Sequence, residues 1–463
     1  MTELDQLFDK AKAYALAYRK EVAVKPSTPL SYATMRERVA APLPESGTES
    51  GAIIDELVAL TDGGLMPTVG PRFFAWVMGS SHPAGVAADW LVTAWGQNAG
   101  YQGTSPAMAA IEEIAERWLL ELLGLPLDSA IGFCTGATLA NGTCLAAART
   151  GVLRKVGWDA DADGLFGAPP VHVLVGADAH TSVHSALQLI GFGSRRVIAV
   201  DTDAQGRIVP AALEQAIAGL EGPKIIISQA GQINTGDFDP FDAIADIAAA
   251  HDAWLHVDGA IGLWAMATPS LKHLVGGLAR ADSWATDGHK WLQVPYDSGL
   301  AIVRDKDALL HAMTQWASYL PTIAQGDRVP SNYVPELSRR ARGAAVWALL
   351  KAYGREGIVK MVERHCALAR RFAERLRTEP GIRVLNEVVL NQIIVDFGAD
   401  SDATKAVIAE VQKDGVLFAG GAQWRGSWVM RLSVISAPTT EADIDMSADA
   451  IIAAWRAVQA RGA

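Results

Sequence analysis

The sequence predicts an α/β chain on a mostly parallel, doubly wound sheet, with a smaller α+β region toward its C-terminal end and a helical segment toward its N-terminal end. Two observations carry that prediction. Between about residues 105 and 305, short β-branched runs alternate with stretches of helical spacing. These runs are apolar almost throughout, the pattern of strands covered on both faces. Length adds a softer argument, since 463 residues exceed what one small core accommodates.

Residues 1–65 read as helices joined by the proline-rich stretches Lys25-Pro26-Ser27-Thr28-Pro29 and Ala41-Pro42-Leu43-Pro44, and closed by Asp62-Gly63-Gly64. Their apolar faces need a cover, and a second subunit is one candidate. Residues 66–325 hold the strand runs Val171–Val175, Arg196–Val200, Lys224–Ser228, Trp254–Val257 and Gly299–Val303. Helices between successive strands argue for a parallel sheet. In residues 326–463 a long helical pattern runs from about Arg342 to Arg377, marked inside by Gly354. Strand candidates Ile382–Leu385, Asn391–Val395 and Val429–Val434 follow it, the mark of a smaller α+β unit.

Half the residues are hydrophobic and one fifth charged, as in a globular protein. Forty basic against fifty-one acidic residues leave a net charge of −11, and no Lys/Arg run interrupts it. That balance argues against nucleic acid, whose binding rests on clustered cations. Cys134, Cys144 and Cys366 make neither a CxxC pair nor an even set, which fits free thiols in a reducing compartment. Acidic residues stand where a signal peptide would be basic, and Asp and Gly interrupt every apolar window well before a membrane span. The expectation is a cytoplasmic protein.

Asp258 closes the apolar run Trp254-Leu255-His256-Val257, and Lys290 follows in Thr286-Asp287-Gly288-His289-Lys290-Trp291. Together they suit pyridoxal phosphate, which needs a lysine amine for a Schiff base and a carboxylate to keep its ring nitrogen protonated. Alone, Asp258 reads as a strand-end turn residue, whereas the apolar flank Trp291-Leu292 suits a surface lysine poorly. A lysine beside cationic or apolar groups becomes nucleophilic near neutrality. The small-residue turn Phe133-Cys134-Thr135-Gly136-Ala137-Thr138 opens an apolar helix whose first N–H groups suit a phosphate, although such a start is more often structural. His180, past another strand, is placed to lie on a pyridine ring, although a lone histidine is more often a capped or core residue. Tyr319 opens a loop, either as a proton donor or as a packed anchor.

With these residues in order, the chain resembles the group II pyridoxal-phosphate-dependent amino-acid decarboxylases, the family of aromatic-L-amino-acid, glutamate and histidine decarboxylases. The resemblance runs through Gly70-Pro71-Arg72-Phe73-Phe74-Ala75, Ala88-Asp89-Trp90-Leu91, Gln97-Asn98, His256-Val257-Asp258-Gly259-Ala260, His289-Lys290-Trp291-Leu292, Tyr296-Asp297-Ser298 and Leu337-Ser338-Arg339-Arg340-Ala341-Arg342. It implies fold type I of the pyridoxal-phosphate-dependent transferases and a homodimer in which N-terminal helices wrap the partner. It also implies Lys290 as the Schiff-base lysine, Asp258 on the ring nitrogen, and Ala260 and His180 on the two ring faces. Gly136, Ala137, Thr138 and His289 would surround the phosphate, and Tyr319 would protonate the carbon that loses carbon dioxide.

Three departures stand out: Thr138-Leu139 replaces a Thr-Glu pair, Asp287 stands where aromatic decarboxylases carry Asn, and Gly231-Gln232-Ile233-Asn234-Thr235 replaces a Gly-Thr-Thr stretch. Asp287 near a phosphate would repel it unless paired or turned away. Phe73, Phe74, Trp76 and Trp95 suggest an apolar pocket and an aromatic L-amino acid, to be converted to its amine. The rival readings keep the cofactor and change the reaction, to an aminotransferase, an aldolase-like enzyme or an aldehyde-forming decarboxylase. The non-enzymatic rival is a cofactor-holding regulatory protein.

Overall fold

The computed structural model describes residues 2–314 and 327–462. Seven strands form the large sheet: β1 (Ala130–Cys134), β2 (His172–Gly176), β3 (Val197–Val200), β4 (Lys224–Gln229), β5 (Trp254–Asp258), β6 (Ser283–Asp287) and β7 (Gly299–Val303). Their order is β1-β7-β6-β5-β4-β2-β3. All neighbours from β3 to β6 pair in parallel, and β7 runs antiparallel between β6 and β1. This is the mostly parallel sheet of fold type I that the sequence predicts.

The antiparallel β7 positions the chemistry. Parallel neighbours need a long crossover, but antiparallel ones can be joined directly. Residues 288–298, which carry Lys290, therefore stay at the carboxyl end of β6, where open α/β sheets place ligands.

Neither β1 nor β6 stands out as a strand in the sequence. The latter reads Ser-Trp-Ala-Thr-Asp and is buried throughout, with its polar groups satisfied by neighbours. Ser283 Oγ accepts from Trp254 Nε1, and Thr286 Oγ1 donates to Gly259 O, both at 2.9 Å. A strand stabilised by such partners leaves no β-branched run to recognise.

Six helices precede or open the sheet: α1 (Glu3–Glu21), α2 (Tyr32–Val39), α3 (Ser50–Thr61), α4 (Pro83–Ala94), α5 (Pro106–Leu123) and α6 (Ala137–Arg154). The last is rich in Ala, Gly and Thr and is buried along most of its length. Small side chains let it lie close against the sheet. By contrast α1 and α2 bury no residue, and α3 buries only Gly51.

A second sheet of four antiparallel strands comprises β8 (Ile382–Val384), β9 (Gln392–Phe397), β10 (Gly420–Trp424) and β11 (Ser427–Ser433), in the order β10-β11-β9-β8. The long helix Arg342–Arg377 is broken at Gly354, whose φ of 59° explains the glycine there. Strand β10 carries no β-branched residue, and its Gly421 serves space: a Cβ there would meet Trp428 Nε1 at 2.4 Å. Among the described residues no helix is long and apolar enough to cross a membrane.

Candidate active site

A cavity of about 350 Å³ opens at the carboxyl end of the large sheet. Its lining includes Gly136, Ala137, Thr138, His180, Asp258, Ala260, Asp287, His289 and Lys290. Every described residue that the sequence singled out for the cofactor therefore borders one space. Tyr319 lies outside the described residues.

One end of the cavity is the start of α6. Gly136 caps this helix without a side-chain hydrogen bond, so the first N–H groups are free for an anion. A carboxylate already uses one of them: Ala137 N donates to Asp287 Oδ1 at 2.6 Å. Close backbone packing fixes the turn. A Cβ on Gly299 would come within 2.5 Å of Gly136 Cα and C, and one on Gly79 would fall 2.1 Å from Lys290 O. No side chain but glycine's fits either contact.

Lys290 follows directly. Its Nζ lies 2.8 Å from Asp287 Oδ2, so the amine meets a carboxylate rather than the cationic neighbours expected for it. Burial pushes the Asp287 carboxyl up, but Lys290, His289 and the Ala137 N–H outweigh it and leave the pKa below the usual range. The His289 ring lies over Tyr296 with centroids 4.4 Å apart, and its Nε2 is 3.3 Å from Asp287 Oδ1. Ser298 N donates to His289 Nδ1 at 3.1 Å, which leaves the ring proton on Nε2. Burial pulls the His289 pKa down against the pull of Asp287.

The other end belongs to β5. Asp258 is the last residue of that strand, and Ala260 N donates to its Oδ1 at 3.1 Å. The turn reading and the functional reading of this residue thus coexist. Two residues earlier, His256 faces the same side of the strand and joins Asn141 of α6 (2.8 Å) to Ser283 of β6 (2.9 Å). That network ties Asp258's strand to the helix at the other end of the cavity.

His180 likewise does two things: it lines the cavity and caps the helix Thr181–Leu189, its Nδ1 accepting from Ser182 N. Burial lowers its pKa despite the nearby Asp258. Gln232 Nε2 donates to Asp178 O at 3.1 Å, fastening the His180 loop to the departing stretch 231–235. Within that stretch only Gly231 and Ile233 reach the cavity.

The expected aromatic lining is corrected in three of four residues. Phe73 stacks on Phe418, Phe74 packs edge-on against Phe372 in the C-terminal core, and Trp95 is exposed at the surface. Phe73 and Phe74 instead pair through the backbone with the C-terminal segment, via the bridge to Phe418 and the Ser433 N–H. Only Trp76 borders the cavity, with Ile233 and Ile261. Trp76 and Val77 both hold positive φ, 54° and 58°. For a β-branched valine that is a strained backbone, of the kind concentrated at functional sites.

Sequence reasoning also missed Arg431 on β11. This guanidinium is largely buried, makes one long hydrogen bond to Asn234 Oδ1 (3.4 Å), and has no carboxylate partner among the described residues. It is close enough to His180 to depress that ring's pKa. Its only sequence signal was a cation inside an apolar strand.

Residues 33–397 match the family profile described as the pyridoxal-dependent decarboxylase conserved domain. The chain belongs to the pyridoxal-dependent decarboxylase family. Among curated relatives, an aromatic-L-amino-acid decarboxylase of Bacillus atrophaeus is 27% identical, covering 95% of this chain and 92% of the relative. An acidic amino acid decarboxylase of Homo sapiens is 28% identical over 82% and 77% of the two chains. A phenylacetaldehyde synthase of Arabidopsis thaliana is 26% identical over 86% and 85%. The crystal structure of Oryza sativa TDC with PLP and tryptamine superposes with a TM-score of 0.91 over 98% of each chain, at 24% identity.

The decarboxylase's own residues fit its cofactor, pyridoxal phosphate. A helix start already holds an anionic oxygen, as a phosphate site requires. A carboxylate and a lysine amine border the same cavity, as a pyridine ring and an aldehyde require.

Proposed function

We propose that this decarboxylase removes the carboxylate of an aromatic L-amino acid as carbon dioxide and releases the amine. The observation that carries the reading is the convergence of Lys290, Asp258 and the start of α6 in one cavity with an apolar wall of Trp76, Ile233 and Ile261. When bound, pyridoxal phosphate supplies an electron-accepting ring for the pair left by the breaking bond.

The chain's residues do the rest. Gly136, Ala137, Thr138 and His289 would hold the phosphate, Asp258 would keep the ring nitrogen protonated, and Lys290 would offer its amine to the aldehyde. His180 and Ala260, which both line the cavity, would cover the two faces of the ring. The residues that orient the substrate would choose the reaction by fixing which of its bonds can break. Arg431, a largely buried cation without a carboxylate partner among the described residues, suits the substrate's α-carboxylate. Tyr319 is the proposed donor of the proton that replaces carbon dioxide, on the strength of the resemblance.

The proposed assembly is a homodimer in the cytoplasm, with units at 1–65, 66–325 and 326–463. Support for the dimer comes from the exposed apolar residues Leu4, Phe8 and Leu16 of α1 and Trp90, Leu91 and Trp95 on and beside α4. The test of function is incubation of the purified chain with aromatic, acidic and basic L-amino acids, with assay of amine and carbon dioxide. Amine from aromatic substrates is expected, and no amine from any substrate would sink the reading. Aldehyde with oxygen consumption would point to the aldehyde-forming alternative, and keto acid to an aminotransferase.

A further inference from the structure

We propose that Asp287 must take up a proton before the cavity accepts the cofactor's phosphate, so that this one carboxyl group couples cofactor affinity to pH. The inference rests on the placement of the phosphate at the start of α6. Asp287 Oδ1 accepts from Ala137 N at 2.6 Å, so a phosphate at that helix start arrives against an anion. Asp287 is nearly inaccessible to solvent, and two like charges in contact away from water repel strongly.

The neighbouring groups cannot absorb that repulsion. Among the described residues lining the cavity Lys290 is the only lysine or arginine, and it already neutralises Asp287 at 2.8 Å. The same amine is the one that serves the cofactor's aldehyde. His289 faces Asp287 through Nε2, but its Nδ1 accepts the Ser298 N–H. A second ring proton would set two N–H groups against each other, so His289 stays a neutral, single donor.

Tyr296, stacked on His289, is neutral, its pKa pushed up to about 12 by burial. Across the cavity, His180 uses Nδ1 as an acceptor at its helix cap, and Asp258 adds a further negative charge. Asp297, beyond His289, is held by Arg342 at 2.7 Å. Among this chain's own groups, protonation of Asp287 is the remaining way to clear the charge, beside the second proton that a phosphate monoester itself carries below about pH 6. A protonated carboxyl then turns from competitor into donor, its O–H free to point at a phosphate oxygen.

Asparagine has the shape of that protonated carboxyl and no charge, which makes Asp287→Asn the decisive variant. The full chain, stripped of cofactor, is titrated with pyridoxal phosphate and with pyridoxal, each followed by absorbance and by calorimetry in two buffers of different ionisation enthalpy. Between about pH 6 and about pH 8, wild-type affinity for pyridoxal phosphate should fall at least about tenfold more than that of the variant. Wild type should also take up about one proton more on binding. Pyridoxal, which lacks the phosphate, reports any change the substitution makes through the Lys290 amine, so the extra fall in wild-type affinity should appear with pyridoxal phosphate and not with pyridoxal.

Parallel pH profiles for pyridoxal phosphate, or equal proton uptake, would overturn the proposal while leaving the decarboxylase reading intact. A wild-type chain that binds neither compound would overturn both. Should the variant fail to fold, proton uptake by wild type alone still decides: an uptake no larger for pyridoxal phosphate than for pyridoxal contradicts the proposal.

Discussion

At the carboxyl end of the large sheet, backbone meets backbone with no room for a methyl group, whereas in α1–α3 Leu4, Phe8, Leu16, Ile53 and Leu57 face solvent. The first region is tied together by close backbone contacts within this chain. The second is held mainly by polar links: Arg19 to Ser81 O at 2.6 Å, and Lys10 and Tyr14 to Asp55 at 2.6 and 2.8 Å. Local close packing therefore accounts for the cofactor cavity, while the N-terminal helices carry apolar faces that one chain leaves uncovered.

The sharpest way to break this contrast is at Gly299. Its Cβ would meet three backbone atoms of Gly136, at 2.5, 2.5 and 2.7 Å, and backbone cannot swing aside as a side chain can. Gly299→Ala should destabilise the chain by more than about 4 kcal/mol, in the class of severe core strain. Urea denaturation would show it, together with loss of bound cofactor. A near-normal midpoint would mean that the turn yields, and that the cavity is less rigid than its contacts imply.

A smaller effect, confined to assembly, is expected at the other region. Phe8→Asp combined with Leu16→Asp places two charges on the exposed face of α1. If a second copy covers that face, each substitution forfeits about 2 kcal/mol of apolar burial. The dimer should then dissociate at least about a hundredfold more readily by sedimentation velocity. Secondary structure should be unchanged, because no residue of α1 is buried. Unaltered association would remove this face from the interface.

The contrast also explains what the sequence could tell. Parallel strands β2 to β5 were legible because burial on both faces demands continuous apolar runs. The candidate site residues Asp258 and His180 drew attention because each stands just past such a run, and Lys290 because its apolar flank Trp291-Leu292 suits a surface lysine poorly. Strand β6 was hidden, since Ser283, Thr286 and Asp287 are buried by virtue of partners far away in sequence. Gly79 and Gly299 were hidden for the same reason: a glycine required by a distant backbone looks like any other glycine. Phe73 and Phe74 misled because an apolar pair shows that something is buried, not which space it borders. Arg431 became informative only when the fold showed a cation without a carboxylate.

The mildest test separates the two regions by pH. His256, beneath the cavity, and His365, buried under the C-terminal segment, have pKa values lowered to about 3 by burial. An unfolded histidine titrates near 6.5, so below that pH the unfolded chain binds protons that the folded chain refuses. The stability these two residues confer is complete above about pH 6.5 and is lost as pH falls toward about 3, by up to about 2 kcal/mol each at about pH 5. In α1–α3 the shifted groups that titrate in acid, Asp5, Glu49 and Asp55, are solvent-exposed, and screening leaves them little leverage over stability. Denaturation midpoints measured from about pH 7 to about pH 5 should therefore fall in wild type and fall less in His365→Asn. If the slope survives that substitution unchanged, His365 is charged without penalty in the fold, and the acid sensitivity must come from elsewhere in the core.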